Sequence, residues 1–453
     1  MTYTFTLPNG VRGIVDERPG TDKVNMAIAI RRGAFDEPAD QKGVNSLMAQ
    51  ALEGGTQTRS REQIAKEIET KGGQFGVAAG RERTSLEATS LARNTAATFE
   101  ILADMLRNPA FDPDEVEKTR KKSIQGFSSF NQSPENRARK AFFEAVFGED
   151  KGAHPEGNET LIESFTPAQI ESAHKALLDR PEEIIVSFSG DIGRSEAKQL
   201  VSEAFASLEP ANAAKEKVTL SFEAGDSREP TEDEQMNIVF GFKAPGFESD
   251  DRTTYAVLEE MLSGGMSAPL FQEIREKRGL VYSVGASYMP YAGAGYFAVL
   301  AGTGRGKVGE LMNVSFDLIA DAAKKNYTKA DLDKAKKRIL RRYQTQTESA
   351  DNVATRNAIQ TFDYGDITGE EEMRDRLDRV TLKDVRRAAG MLLQNGEYAL
   401  AGVGPQDSLP EPDEIREMMA DRVQGLKLPE PSQKTRRVSG LFKQAMDKQD
   451  ITA

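Results

Sequence analysis

The chain has no cysteine and only two histidines, His154 and His174, among its 453 residues. Without cysteine it forms no disulfide, offers no thiol nucleophile and holds no thiolate-ligated zinc or iron–sulfur centre. A zinc site built on imidazole would have to use both histidines, and a Ser-His-Asp arrangement would have to use one. No stretch approaches the ~18 apolar residues that span a membrane. The opening MTYTFTLPNGVRGIVDERPG lacks an apolar run behind a basic head and does not read as a secretory signal. The expected location is therefore the cytoplasm if Met1 is the native start, and the periplasm if the chain was trimmed. Cations are also in deficit. Lys plus Arg total 60 against 72 for Asp plus Glu, a net charge of −12, which argues against nucleic acid as the main partner.

What is present is a repeat. The length exceeds one ordinary domain, and three segment pairs recur in order. MAIAIRRGAF…SLMAQALEGG, from Met26, matches MNIVFGFKAP…AVLEEMLSGG, from Met236, so that Gly54 and Gly55 fall on Gly264 and Gly265, 210 residues on. DEVEKTRKKSI, from Asp114, matches ADLDKAKKRIL, from Ala330, 216 residues on. TPAQIESAHKALL, Thr166 to Leu178, matches TLKDVRRAAGMLL, Thr381 to Leu393, 215 residues on. A polar linker, Glu209 to Val218, separates the halves. Domains are expected at 1–208 and 218–428, with a polar tail at 429–453 after the break at Pro429 and Pro431. In the first half, TYTFTLP, VNMAIAIRRG, SLEATSL and EEIIVSFSGD read as strands. Helices are predicted at 43–52, 60–71 (Ser60 as N-cap and Gly72 closing it), from Thr95 until Pro109 stops it, 112–130, 135–146 and from Thr166. Helices and strands mix without strict alternation, so the fold class is α+β. Phe35, Leu47, Leu52, Leu102, Met105 and Val186 are candidate core residues of the first half.

RRGAFDEPADQKGVNSLMAQALEGGT (Arg31 to Thr56), LFQEIREKRGLVYSV (Leu270 to Val284), LPNG near the start and FSGD before the linker carry a resemblance across about 1–428. They resemble pitrilysin/insulinase-like zinc peptidases, in the two-chain branch typified by mitochondrial processing peptidases. The resemblance implies two tandem duplicated α/β-roll domains of the LuxS/processing-peptidase-like metallohydrolase type, forming half of a clamshell. Catalytic members carry H-x-x-E-H, in which two imidazoles on one helical face hold zinc and the Glu polarises water. Here the matching five residues are Ser46, Leu47, Met48, Ala49 and Gln50. Both imidazole positions (Ser46, Gln50) and the general-base position (Ala49) have lost their chemistry. The third-ligand position, counted 76 residues beyond Gln50, falls on Gly126, and a helper carboxylate position falls on Thr119. Ser and Gln side chains do not replace imidazole for zinc. His154, expected to make a loop contact, and His174, expected on a solvated helix face, do not restore the set. No cofactor is expected in this chain, and zinc is expected in a partner subunit.

By the same resemblance, Arg275 and Tyr282 match an Arg/Tyr pair that binds the substrate carbonyl and stabilises the oxyanion of the tetrahedral intermediate. A guanidinium and a phenol suit that role as donors. The bland alternative is a solvated helix charge and a strand core residue. Arg278 is a candidate accessory donor. Gly264 and Gly265 sit where relatives carry a longer glycine-rich loop; they read as a helix C-cap and turn, with substrate contact as the alternative. AGTGRGK (Ala301 to Lys307) fails the phosphate-loop spacing. KAKKRILRR (Lys334 to Arg342) reads as a solvated helix face, or as a steering surface for acidic substrates. Leu441, Phe442, Ala445 and Met446 in the tail suggest a short amphipathic helix for docking, or a flexible terminus. The expected function is a non-catalytic, substrate-binding subunit of a heterodimeric zinc endopeptidase. It would complete the site of a homologous H-x-x-E-H-bearing partner through Arg275 and Tyr282, and bind peptide substrates. The alternatives are a peptidase-derived structural scaffold and a peptide-binding module with no proteolytic role.

Overall fold

The computed structural model describes residues 2–211, 218–324, 326–348, 352–406 and 409–430; the amphipathic segment expected at 441–446 lies outside them. The chain forms two compact units. Unit 1 comprises Met1–Ser129, Ala153–Val218 and Thr345–Ile367. Unit 2 comprises Phe130–Gly152, Thr219–Gln344 and Thr368–Ala453.

Unit 1 is built on a six-stranded sheet of β1 (Thr2–Thr6), β2 (Arg12–Glu17), β3 (Lys23–Ile30), β4 (Gln74–Ala79), β5 (Thr84–Leu91) and β6 (Ile184–Gly190). Its strand order is β1-β2-β6-β3-β5-β4. Unit 2 has five strands, β7 (Asp226–Pro230), β8 (Gln235–Ala244), β9 (Val281–Pro290), β10 (Gly295–Gly304) and β11 (Tyr398–Gly404), in the order β7-β11-β8-β10-β9. In each sheet one pair is parallel, β2 with β6 and β7 with β11, and every other pairing is antiparallel. Removing β1 makes the two orders identical, so the repeat read in the sequence is a repeat of topology. Ladder register refines it: Asn25 lies opposite Ser189 and Asn237 opposite Val403, which makes Asn25 and Asn237 equivalent.

The helices repeat too. The first half carries α1 (Val44–Ala51), α2 (Thr95–Arg107), α3 (Pro113–Asn131), α4 (Pro134–Gly152) and α5 (Pro167–Leu178). Their counterparts are α6 (Arg252–Ser263), α7 (Val308–Ala323), α8 (Lys329–Glu348), α9 (Val353–Tyr364) and α10 (Leu382–Gln394). α5 and α10 start alike. The hydroxyls of Thr166 and Thr381 accept from the N–H groups of Gln169 and Asp384, and those residues' side chains accept from the threonine N–H groups in return.

Domain composition departs from the contiguous halves expected at 1–208 and 218–428. α4, from the first half, packs across β11, β8 and β7 of unit 2, and α9, from the second, packs across β3, β6 and β2 of unit 1. The strands explain the fit. Val24, Met26, Ile28 and Ile30 of β3 point into the large core of unit 1 with α1 and α2. The opposite face is small there: Ala29, with Ile14 and Ile185, meets Ala358 and Phe362 of α9. β8 does the same, with Met236, Ile238, Phe240 and Phe242 in the core of unit 2. On its other face a Cβ at Gly241 would come within 2.8 Å of the Phe142 ring on α4. The six core residues expected from sequence are all buried.

Candidate functional site

α1 carries the degenerate motif, and its start is fixed by a buried carboxylate. Glu37 accepts hydrogen bonds from the N–H groups of Gly43 (2.8 Å) and Asn45 (2.7 Å), two donors that the helix itself leaves free. Burial pushes the Glu37 carboxyl up to about 7, against the lowering effect of those N–H groups and of Lys42. Gly43 takes φ +98, and a Cβ there would lie 2.3 Å from the Glu156 carbonyl oxygen. α3 lies alongside α1 and turns Val116, Thr119, Ser123 and Phe127 inward. Ser123 Oγ donates to Gln50 Oε1 at 3.1 Å, and Gln50 Nε2 donates to Ser46 Oγ at 3.2 Å. Ala49 is fully buried beside them. A pocket of about 290 Å³ opens here, between Ser46 and Gln50 of α1, Thr119 and Lys122 of α3, Glu156, and the edge strand β4 at Val77–Ala79. Arg61 also lines it, ion-paired to Glu115 (3.4 Å) and Glu53 (4.0 Å). Burial raises the Glu156 carboxyl above its ordinary value.

The residue of α3 that meets Gln50 is therefore Ser123. Gly126 is exposed, with no atom within 4 Å of a Cβ built on it. Inward positions on α3 follow helical spacing at 116, 119, 123 and 127, and 126 falls off that stripe. Sequence reasoning also passes over β4, Lys122 and Glu156. The glycines bracketing β4 (Gly72, Gly73 and Gly80) are the signal that marks the strand; Lys122 lies off the inward stripe of α3 and Glu156 lies in a loop, and no pattern in the sequence marks either.

These residues do not fit zinc. The groups that meet at the motif positions are two hydroxyls and an amide. The carboxylates lining the pocket are Glu53, ion-paired to Arg61, and Glu156, whose burial favours its protonated form. Lys122 and Arg61 add positive charge, so no imidazole or paired set of anionic donors converges there. Among the described residues no group of three His, Asp or Glu side chains is arranged to hold a metal ion. His154 Nδ1 accepts from the Glu156 N–H at 3.3 Å, and its ring meets Phe127 edge-on. His174 is half-buried rather than solvated: Nε2 lies 2.6 Å from the Leu106 carbonyl oxygen and the ring packs on Phe111. Burial lowers its pKa.

Unit 2 fills the equivalent place differently. Glu260, which repeats Gln50 at the 210-residue offset, has a side chain only 4% exposed, held by Arg338 Nε at 2.9 Å and Arg342 Nη1 at 3.0 Å from α8. Its neighbour Glu259 is pushed up to about 7 by burial. Gly264 forms the C-cap of α6, and Gly265 takes φ +96. A Cβ on Gly264 would lie 2.2 Å from Glu260 Oε1, and one on Gly265 would lie 2.4 Å from Arg338 Nη2. Both glycines thus have a local reason in the close approach of this ion cluster.

Arg275 and Tyr282 are brought together. Arg275 lies on a π-helix, Phe271–Lys277, and its guanidinium stacks 4.8 Å from the Phe271 ring centroid and 5.0 Å from that of Tyr282. Tyr282, near the start of edge strand β9, is 82% exposed, so it is not a core residue. Arg278 turns away to Glu273, donating to its carboxylate at 2.7 Å and its carbonyl oxygen at 2.9 Å. Arg275, Tyr282, Arg278, Gly264 and Gly265 belong to unit 2, and Ser46, Ala49, Gln50 and Gly126 to unit 1.

Residues 13–157 match the family model for insulinase (peptidase family M16), and residues 164–339 match that for the peptidase M16 inactive domain. The chain is 28% identical over 413 residues to an "uncharacterized zinc protease" of Mycobacterium leprae, covering 89% of this chain and 92% of that protein. It is 26% identical over 415 residues to one of Bacillus subtilis, covering 90% and 100%. Among solved structures it is similar to a peptidase M16 inactive domain from Pseudomonas fluorescens, with TM-score 0.81 and 20% identity over 89% of this chain and 98% of that one. A protease from Helicobacter pylori gives TM-score 0.82 and 18% identity, over 89% and 99%. At these identities the two structures speak to the fold alone.

Proposed function

Because the chain belongs to the insulinase (M16) family of peptidases, we propose that it is the non-catalytic, substrate-binding subunit of a heterodimeric zinc endopeptidase. The observation that carries this reading is a contrast within one chain. At the motif positions on α1 the hydrogen-bonded side chains are neutral, Ser46, Gln50 and Ser123, whereas the cationic donor Arg275 stands beside an exposed phenol, Tyr282, on a sheet edge. A chain released from peptide chemistry has no need of that pair.

In this reading a homologous partner supplies the H-x-x-E-H set and its zinc. This chain's part is to bind and orient. Extended peptide segments pair with the open edges at β4 and β9, where main-chain groups have a neighbour on one side only. Arg275 and Tyr282 donate to the carbonyl oxygen of the bond under attack, and their hydrogen bonds strengthen as negative charge gathers there. Phe271 holds the Arg275 guanidinium in place by stacking.

The test is capture of the tagged chain from its native cells, followed by turnover assays on the purified complex. The expected result is a near-stoichiometric partner bearing H-x-x-E-H with about one zinc per pair. Arg275→Ala then lowers kcat by ~10²-fold with zinc content unchanged. Recovery of the chain alone, metal-free and inert on peptides, returns the protein to a scaffold or a peptide-binding module.

A further inference from the structure

Helix α8 concentrates positive charge in a chain whose net charge is −12. Lys334, Lys337, Arg338, Arg341 and Arg342 recur at spacings of three, four and seven, which places them along one stripe of the helix. Asp331, Asp333 and Glu259 attract Lys334, Lys337 and Arg342 at longer range, but close ion pairs on the stripe are few. Arg338 and Arg342 share one carboxylate, that of Glu260, and Lys334 Nζ donates to the neutral Ser267 hydroxyl at 2.9 Å. Neither Lys337 nor Arg341 has a carboxylate within 4 Å among the described residues. A merely solvated helix face would leave such side chains unorganised.

This one is organised. Glu260 is buried and acceptor-only, so it aims both guanidiniums from below, while their side chains remain 39% and 59% exposed. A guanidinium has five N–H donors, and one shared carboxylate leaves most of each set unused. Gly264 and Gly265 carry no side chain where one would displace Glu260 and Arg338. Ser267 closes the turn against Lys334. The arrangement is a two-arginine fork, pre-set by a buried acid, with Lys334, Lys337 and Arg341 further along the stripe. Forks of this kind match carboxylates in geometry as well as charge.

We propose that the α8 stripe of unit 2, with Arg338 and Arg342 as its oriented centre, binds carboxylate side chains of an acidic peptide segment. The inference rests on the reading of this chain as a peptide-binding subunit and names the class of peptide: acidic rather than neutral or basic. Lys337 and Arg341 supply long-range attraction, and the fork supplies the close contact.

The experiment is fluorescence anisotropy of the full chain with a labelled Glu/Ala peptide and its Gln/Ala counterpart at low ionic strength. The Glu peptide is expected to bind about tenfold more tightly. The preference should shrink as salt rises. Lys337→Glu with Arg341→Glu, both at exposed positions, should abolish it with the circular dichroism spectrum unchanged. Arg342→Gln should weaken it about as much. Equal binding of the two peptides, or a preference indifferent to salt and to charge reversal, overturns the proposal. So does inorganic phosphate competing as well as the Glu peptide, which would make the stripe a generic anion site. Failure here with Arg275→Ala still lowering turnover of the complex leaves the subunit reading intact. An acidic preference with no effect of Arg275→Ala does the reverse.

Discussion

The triple substitution S46H/Q50H/S123E should convert the α1 pocket into a zinc site, and its energetics follow from the bonds it replaces. The apo variant loses two hydrogen bonds, Ser123 to Gln50 (3.1 Å) and Gln50 to Ser46 (3.2 Å). At about 1 kcal/mol each, it should be about 2 kcal/mol less stable than wild type. For a unit of this size that is a fall in Tm of about 4–8 °C, read in EDTA. Zinc at a hundredfold excess over its Kd returns about 2.7 kcal/mol, enough to restore the wild-type value. Histidines at i and i+4 share one helical face, and the carboxylate introduced by Ser123→Glu would approach them from α3. The control is S46H/Q50H/G126E, in which the carboxylate leaves from an exposed position with open space around it. It should show two-ligand binding only, with little zinc-dependent gain in Tm. Thermal unfolding with and without zinc, paired with metal content after desalting, decides the matter. Equal gains in the two triples, or a larger gain in the triple that carries G126E, would refute the assignment of Ser123 as the position facing Gln50. Ala49 stays in both variants, so zinc loading without peptide turnover is expected.

A pH test follows from Glu37. Its folded pKa, about 7, lies above the ordinary value of 4.5, so its contribution to stability is full below about 4.5, falls as pH rises and levels off above 7. The stability difference between wild type and Glu37→Gln should therefore shrink by about 3 kcal/mol from pH 4.5 to 7 in urea titrations. A difference that grows over that window would mean that the N–H groups of Gly43 and Asn45 hold Glu37 ionised. His174, lowered by burial, runs the opposite way, adding stability as pH rises toward 6.5, but it is common to both proteins and cancels. Glycine contacts give a second test. Gly265→Ala meets both a positive φ and Arg338, whereas Gly20→Ala meets a positive φ of +82 with nothing within 4 Å. The first should cost about 1–3 kcal/mol more than the second by urea unfolding, and equal losses would remove the ion cluster as the reason for Gly265.

The duplication was legible because each half must rebuild the same sheet. Matching helix starts such as Thr166 and Thr381, and the paired glycines at 54–55 and 264–265, keep their spacing. The placement of the motif positions was legible for the same reason, since Ser46, Ala49 and Gln50 stand at fixed places on one helix. Two things were not. Counting 76 residues from Gln50 assumes a constant loop length, whereas the inward face of α3 is set by packing, and packing selects Ser123. Nor does periodicity tell which sheet an amphipathic helix will cover. α4 and α9 look like helices of their own halves, and only the small face of β3 and the bare Gly241 of β8 hint at where they dock. The π-helix that stacks Arg275 on Tyr282 is likewise a tertiary outcome, because its sequence, FQEIREK, reads as ordinary α-helix.

The crossed helices also set an order of events on the ribosome. Ile14, Ala29 and Ile185 are synthesised early, but Ala358 and Phe362, which cover them, emerge only near the end of the chain. The nascent first half must therefore wait, one face of its sheet bare, through the synthesis of most of the second. Loop closure over such a separation is slow, and exposed apolar sheet invites chaperones or aggregation meanwhile. A gene cut at the linker would strand each fragment without its roof, and the two would be rescued only by meeting each other.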